Sequence, residues 1–167
     1  IVARQSTVIA TINERAVSSA NTGSGTSTTL VVTKPTGTVS GDVLLAGLTV
    51  KSTSATVTAP AGWTLVTSIA NSTNVKTYAF TKVAGGSEPS SYTFTFSSAT
   101  KAAVGLVAAS GVDPTSPVDV SATATNASGT TQSAASVTTT STYDQLYTIY
   151  GAAASTSFSP PAGMTER

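Results

Sequence analysis

The sequence predicts an all-β protein, and three observations carry that prediction. β-Branched Thr and Val alternate with Ser, Gly and Pro along nearly the whole chain, while the strong helix formers Glu, Lys, Gln and Leu are sparse. Turn chemistry recurs at short intervals, at Gly23-Ser24-Gly25, Lys34-Pro35, Pro60-Ala61-Gly62, Gly85-Gly86, Asp113-Pro114 and Ala127-Ser128-Gly129. Between the turns, apolar residues recur with the period of a strand, as in Tyr92, Phe94 and Phe96 interleaved with Thr93 and Thr95. The expected architecture is a jelly-roll-like β-sandwich of two similar halves, the second incomplete.

The candidate strands lie near residues 6–12, 28–33, 42–50, 55–59, 64–70, 75–83, 91–97, 102–110, 118–125, 133–139 and 145–152. Residues 42–50 and 102–110 are almost continuous small apolar runs, which marks them as central strands covered on both faces. In 91–97 the aromatic face is expected to be core. In 75–83 one face carries Lys76, Tyr78, Phe80 and Lys82 and the other Val75, Thr77, Ala79, Thr81 and Val83; burial is expected for Tyr78 and Phe80.

Composition narrows the chemistry. The 167 residues include no Cys and no His, so this chain cannot by itself build a Ser-His-Asp or Cys-His triad, a Cys/His zinc site, a haem ligand or a disulfide framework. No cofactor is expected. Ser and Thr make up roughly a third of the chain, against a usual charged share of about a quarter that is here only 9%. Eight Lys and Arg against seven Asp and Glu leave a net charge of +1, and the basic residues are scattered singly, so no footprint for nucleic acid or anionic lipid is present. The longest apolar run, 43–48, is far short of the about 20 residues of a membrane-spanning helix. The chain opens without Met or a signal-like segment, as expected of a processed form or of part of a longer chain. Its length suits one domain, with an N-terminal strand or arm over 1–15 and a sandwich over 16–167.

One feature of organisation stands above the composition. Residues 42–64 (DVLLAGLTVKSTSATVTAPAGWT) are echoed by 144–165 (DQLYTIYGAAASTSFSPPAGMT): an acid, an apolar strand, a Ser/Thr strand and a Pro-Ala-Gly-X-Thr corner. The first copy continues through four further candidate strands, and the second stops at Arg167. Three arrangements would close the second half: residues beyond Arg167, the run 1–12 folding back within its own chain, or that run donated to a neighbour by strand addition. In the last case the exchanging apolar residues are Val2, Val8, Ile9 and Ile12.

On GDVLLAGLTV (41–50), APAGWTLV (59–66), SEPSSYTFTF (87–96), SGVDPTSPVD (110–119) and PPAGMTER (160–167), the chain resembles a family of Thr-rich β-sandwich modules found in bacterial secreted or surface proteins and in tailed-phage structural proteins. The resemblance covers most of residues 16–167. Family members usually continue past the second PAGMTER-like motif with more strands, from which this chain departs. The resemblance implies no catalytic set; it implies display or assembly, as a tail-fibre or capsid-decoration module, a surface adhesin or a filament subunit.

Candidate site residues are few. Tyr143, Tyr147 and Tyr150 form the densest aromatic cluster and are the candidates for ligand or partner contact. Trp63, at the first corner and matched by Met164 at the second, is expected in the core. Asp113, before Pro114, and Glu88, before Pro89, read as turn caps, and the pair Asp113 and Asp119 supplies too few oxygens for a tight Ca²⁺ site. No two carboxylates are close enough in sequence to suggest paired acid–base chemistry. The expected function is therefore a non-enzymatic structural subunit or display module of an extracellular assembly, a virion or bacterial-surface component, with copies of itself or neighbouring structural subunits as partners. The alternative is a carbohydrate-binding module whose partner is a cell-surface glycan.

Overall fold

In the computed structural model, residues 1–4, 11–154 and 156–167 are described. They hold eleven strands: β1 (Val2–Ala3), β2 (Asn13–Asn21), β3 (Ser27–Thr33), β4 (Val43–Val50), β5 (Val57–Thr58), β6 (Thr64–Asn71), β7 (Val75–Val83), β8 (Ser91–Thr100), β9 (Ala102–Ser110), β10 (Val118–Val120) and β11 (Gln145–Leu146). All pairings are antiparallel. A five-stranded sheet runs β2-β9-β4-β7-β6, flanked by a sheet β3-β8-β5 and a small sheet β10-β1-β11. The protein is an all-β sandwich, and among the described residues no helix is long and apolar enough to cross a membrane.

The main core follows from the two-residue period of β4. Leu44, Ala46, Leu48 and Val50 point to one side, where they join Tyr78 and Phe80 of β7 and Val104, Leu106 and Ala108 of β9 against Leu30, Val32, Tyr92, Phe94 and Phe96. The aromatic rings knit the two sheets: Phe80 tilts on Phe94 at 5.7 Å, and Trp63 meets Tyr92 edge-on at 5.1 Å. Tyr78, Phe80 and the aromatic face of β8 are thus buried as their pattern predicts, and Trp63 packs against the same cluster.

The expected boundaries of β7 and β9 match the structure residue for residue, and the weaker signals do not. β2 lies where no strand is expected; its sequence NERAVSSAN has little apolar alternation, and the β9 ladder supplies the pairing that its own pattern does not advertise. Residues 133–139 form no strand, 118–125 shortens to β10, and 145–152 shortens to β11. The first two segments are rich in Ala, Ser and Thr, whose small apolar area holds a strand only beside a ready partner; in 145–152 the larger Tyr147 and Ile149 pack on a sheet face instead. The candidate strand 6–12 lies largely outside the described residues; of it, Ile12 is buried just ahead of β2.

The few charges tie down loop ends. Asp42, 2% exposed, pairs with Arg15 of β2 at 2.7 Å and accepts the Val39 N–H, fixing the turn that feeds β4. Glu88 accepts the Gly85 N–H and the Tyr92 hydroxyl, each at 2.7 Å, and faces Lys82 at 3.3 Å. Burial pushes the Glu88 carboxyl up, but the Gly85 N–H, the Tyr92 hydroxyl and Lys82 together outweigh it and hold the carboxyl below its usual value. Burial, with Glu88 adding to it, pushes the Tyr92 phenol up, so Tyr92 stays a donor at alkaline pH.

Two outcomes are expected. Phe94→Ala, at a position with no exposure, lowers unfolding free energy in urea by about 3–5 kcal/mol with an unchanged denaturant slope. Because the folded Glu88 carboxyl titrates below its unfolded value, its stabilisation is complete above that unfolded value and is lost as pH falls through the folded one; Glu88→Gln therefore flattens the decline of Tm below about pH 4.5 relative to wild type.

A candidate ligand groove on the outer sheet face

The face of β4 turned away from the main core carries Val43, Leu45, Gly47 and Thr49. The second copy of the internal repeat lies on it. Ile149 sits over Gly47, where an added Cβ would come within 2.8 Å of its side chain. Gly151 is seated on Thr49 and Thr77, whose hydroxyls bond each other at 3.0 Å across the β4–β7 pair. Tyr147 packs with Ala3, Ile12, Val43, Ala109 and Val112 in a second, smaller core. The repeated strand thus stacks on the face of its first copy and keeps only the two-residue ladder of β11 with β1.

The two Pro-Ala-Gly corners do form the same turn. Trp63 N–H bonds Pro60 O at 3.3 Å and Met164 N–H bonds Pro161 O at 3.1 Å, with Gly62 and Gly163 at φ 83° and 84° in the third position of the turn, where a positive φ requires glycine. After the first corner β6 finds β7 as a partner; after the second the chain runs to Arg167, whose guanidinium pairs with Glu14 of β2 at 2.6 Å.

Between the outer face of β6 and β7 and the covering segments 122–126, 132–135 and 146–151 lies a cavity of about 140 Å³. Among the described residues, no Asp, Glu, Lys or Arg side chain lines it. Its polar wall is made of Thr67, Ser68, Thr77, Asn71 and Gln132, and its apolar wall of Ile69, Ile149, Tyr150 and Phe158, with Tyr150 and Phe158 stacked at 5.5 Å. Asn71 donates to Asn126 O at 3.0 Å, and Asn126 in turn exchanges two hydrogen bonds with the Ser133 backbone, closing one end. Such a lining suits an uncharged occupant that hydrogen-bonds to amides and hydroxyls.

The three candidate tyrosines part company. Tyr147 and Tyr150 both reach the cavity, whereas Tyr143 is 73% exposed and stands outside it. The Tyr147 hydroxyl is buried without a hydrogen-bond partner; burial pushes its pKa up, Glu14 adding to the shift and Arg167 opposing it. Val2 is fully buried between β10 and β11 in its own chain, Ile12 is buried, and Val8 and Ile9 lie outside the described residues. Asp113 caps its turn by accepting the Thr115 N–H at 2.9 Å.

One contact joins two carboxylates that are far apart in sequence. Asp119 and Asp144 share a hydrogen bond, because β10 and the residue ahead of β11 are both drawn to β1. The Thr140 hydroxyl and N–H, at 2.5 and 2.7 Å, hold the Asp119 carboxyl below its usual value. Nothing in the spacing of these residues signals the meeting. Among the described residues, no group of three or more His, Cys, Asp or Glu is placed to hold a metal ion. Comparisons with family models, with curated proteins and with solved structures each found no match to this chain.

The seat of Gly151 generates a test. Gly151→Ala drives a methyl group into the Thr49 and Thr77 hydroxyls, so hydrogen exchange at the Tyr147 amide is expected to accelerate at least tenfold while amides of β4 keep their protection.

Proposed function

We propose that the chain is a non-enzymatic structural subunit or display module of an extracellular assembly: a virion decoration or fibre protein, or a filament or adhesin subunit of a bacterial surface. The observation that supports this reading most is the outer layer. Residues 121–144 enter no ladder, and 122–126 and 132–135 of them wall a cavity over β6 and β7 that no charged side chain lines, a layer where a neighbouring chain could add backbone pairing. The flanking sheet turns Thr29, Val31, Thr33, Thr93, Thr95 and Thr58 outward as exposed positions, a weakly charged face with little repulsion to oppose close packing.

Electron microscopy of the native sample, with light scattering on the purified protein, is expected to show the chain in a repeating particle or filament. Monodisperse monomer, absent from every particle fraction, would sink the proposal.

A second reading, a carbohydrate-binding module, is favoured by a cavity that no charged side chain lines, with stacked Tyr150 and Phe158 at its wall. It predicts binding of an uncharged glycan on an array, lost in Tyr150→Ala and retained in Tyr143→Ala. Equal binding by wild type and Tyr150→Ala would remove it.

A further inference from the structure

We infer that β6 is a docking edge for the β6 of a second copy, the two strands pairing antiparallel about a two-fold axis so that two five-stranded sheets become one; this names the partner in the structural-subunit reading and rests on it.

The two edges of the five-stranded sheet are β2 and β6, and only one of them is guarded. β2 carries Glu14 and Arg15, paired with Arg167 and Asp42, and its Ser18 hydroxyl donates to Thr33 O of β3 at 2.5 Å. Charge and a neighbouring strand thus close that side. β6 has neither. Residues 63–75 contain no Asp, Glu, Lys, Arg or Pro, and Leu65 stands 51% exposed. Among the described residues, no backbone hydrogen bond outside the β7 ladder involves residues 64–70. In an antiparallel ladder alternate residues turn both N–H and C=O away from their partner, so the far side of β6 presents a row of such groups with no protein backbone to meet them.

The bulge in β6 falls between Leu65 and Thr67, which leaves residues 67–71 in regular register. Antiparallel pairing of a strand with its own copy sets one residue directly opposite itself, because the two-fold passes between opposed residues. With Ile69, the middle of the regular run, on the axis, Ile69 meets Ile69, Ser68 meets Ala70 and Thr67 meets Asn71. An apolar pair at the centre is then flanked by small residues, and a hydroxyl faces an amide at each end. This self-complementarity selects a copy over a charged partner strand: β6 offers no charge to match one, and none that a two-fold would bring against its like. The net charge of +1 adds little repulsion between the chains.

The absence of cysteine gives a clean background for cross-linking. Residues opposed in an antiparallel pair have Cα atoms about 4.5–5.5 Å apart, within the roughly 4.4–6.8 Å that a disulfide spans. Because pairing raises the local concentration of the thiol, Ile69→Cys is expected to oxidise to a disulfide-linked homodimer about tenfold or more faster than Val31→Cys, an exposed position on the flanking sheet. Thr67→Cys mixed with Asn71→Cys is expected to give the heterodimer. A homodimer bridged at 68 or 70 moves the axis and keeps the pairing; cross-linking at no position of 67–71 above the Val31→Cys rate overturns it. Should the variants fail to fold, hydrogen exchange of the wild type decides. Its β6 amides are expected to exchange about tenfold faster on dilution from millimolar to micromolar protein while β4 amides do not change, and exchange independent of concentration overturns the pairing. If electron microscopy still shows particles or filaments after such a result, the structural-subunit reading stands without the β6 contact; if it shows none, both fall.

Discussion

Strand β4 runs through the middle of the five-stranded sheet with Leu44, Ala46, Leu48 and Val50 packed into the main core and Val43, Leu45, Gly47 and Thr49 under the outer layer, so it is solvated on neither face. That double burial sets the thickness of the molecule. On the inner side, aromatic residues of β7 and β8 fill the space between sheets; on the outer side the small Gly47 and Thr49 let Ile149 and Gly151 come down onto the backbone. A bulkier residue at 47 or 49 would lift the covering segment and, with it, the second core around Tyr147.

The two faces are closed by different physics. The inner face is held by area: large side chains, rings in contact and long ladders with eight paired positions between β4 and each of its neighbours. The outer face is held by a few specific contacts, among them the exchange of hydrogen bonds between Ile1 and Tyr147, the Asp119–Thr140 clasp, and Arg167 on Glu14. Layers of the second kind open locally at lower free energy than the core beneath them. A cavity, stacked half-buried rings and backbone without ladder partners all collect in that layer, which is why both functional readings converge there.

The internal repeat separates local from non-local control. Both Pro-Ala-Gly corners adopt one turn, because proline geometry and a glycine at positive φ act over four residues and need nothing from elsewhere. The strands ahead of the corners diverge: the first copy pairs along its whole length with a neighbour on either side, and the second keeps two ladder residues. Leu44, Leu45 and Leu48 bring enough apolar area to hold a central place, whereas Ile149 packs over Gly47 on the outer face of β4 and Tyr147 joins the small second core beside it.

Much of the fold was legible in residues alone. The all-β class, the limits of β7 and β9, the cover on both faces of β4 and the burial of the β8 aromatics follow from strand period, β-branching and turn residues, which are short-range properties of a chain; β9, expected to be covered on both faces as well, is exposed at Ala103 and Gly105, because the outer layer does not extend over that part of it. Tyr147 and Tyr150 were visible as a cluster, but Phe158, Asn71 and Asn126 join them only because strands far apart in sequence stack, and Asp119 meets Asp144 only through a shared neighbour, β1. The tertiary structure alone decided that polar β2 is a strand and that residues 133–139 are not. The reason is that a strand of Ser, Thr and Ala has no stability of its own: its backbone is satisfied only by a partner ladder, and whether one is at hand is a property of the whole arrangement and not of the segment.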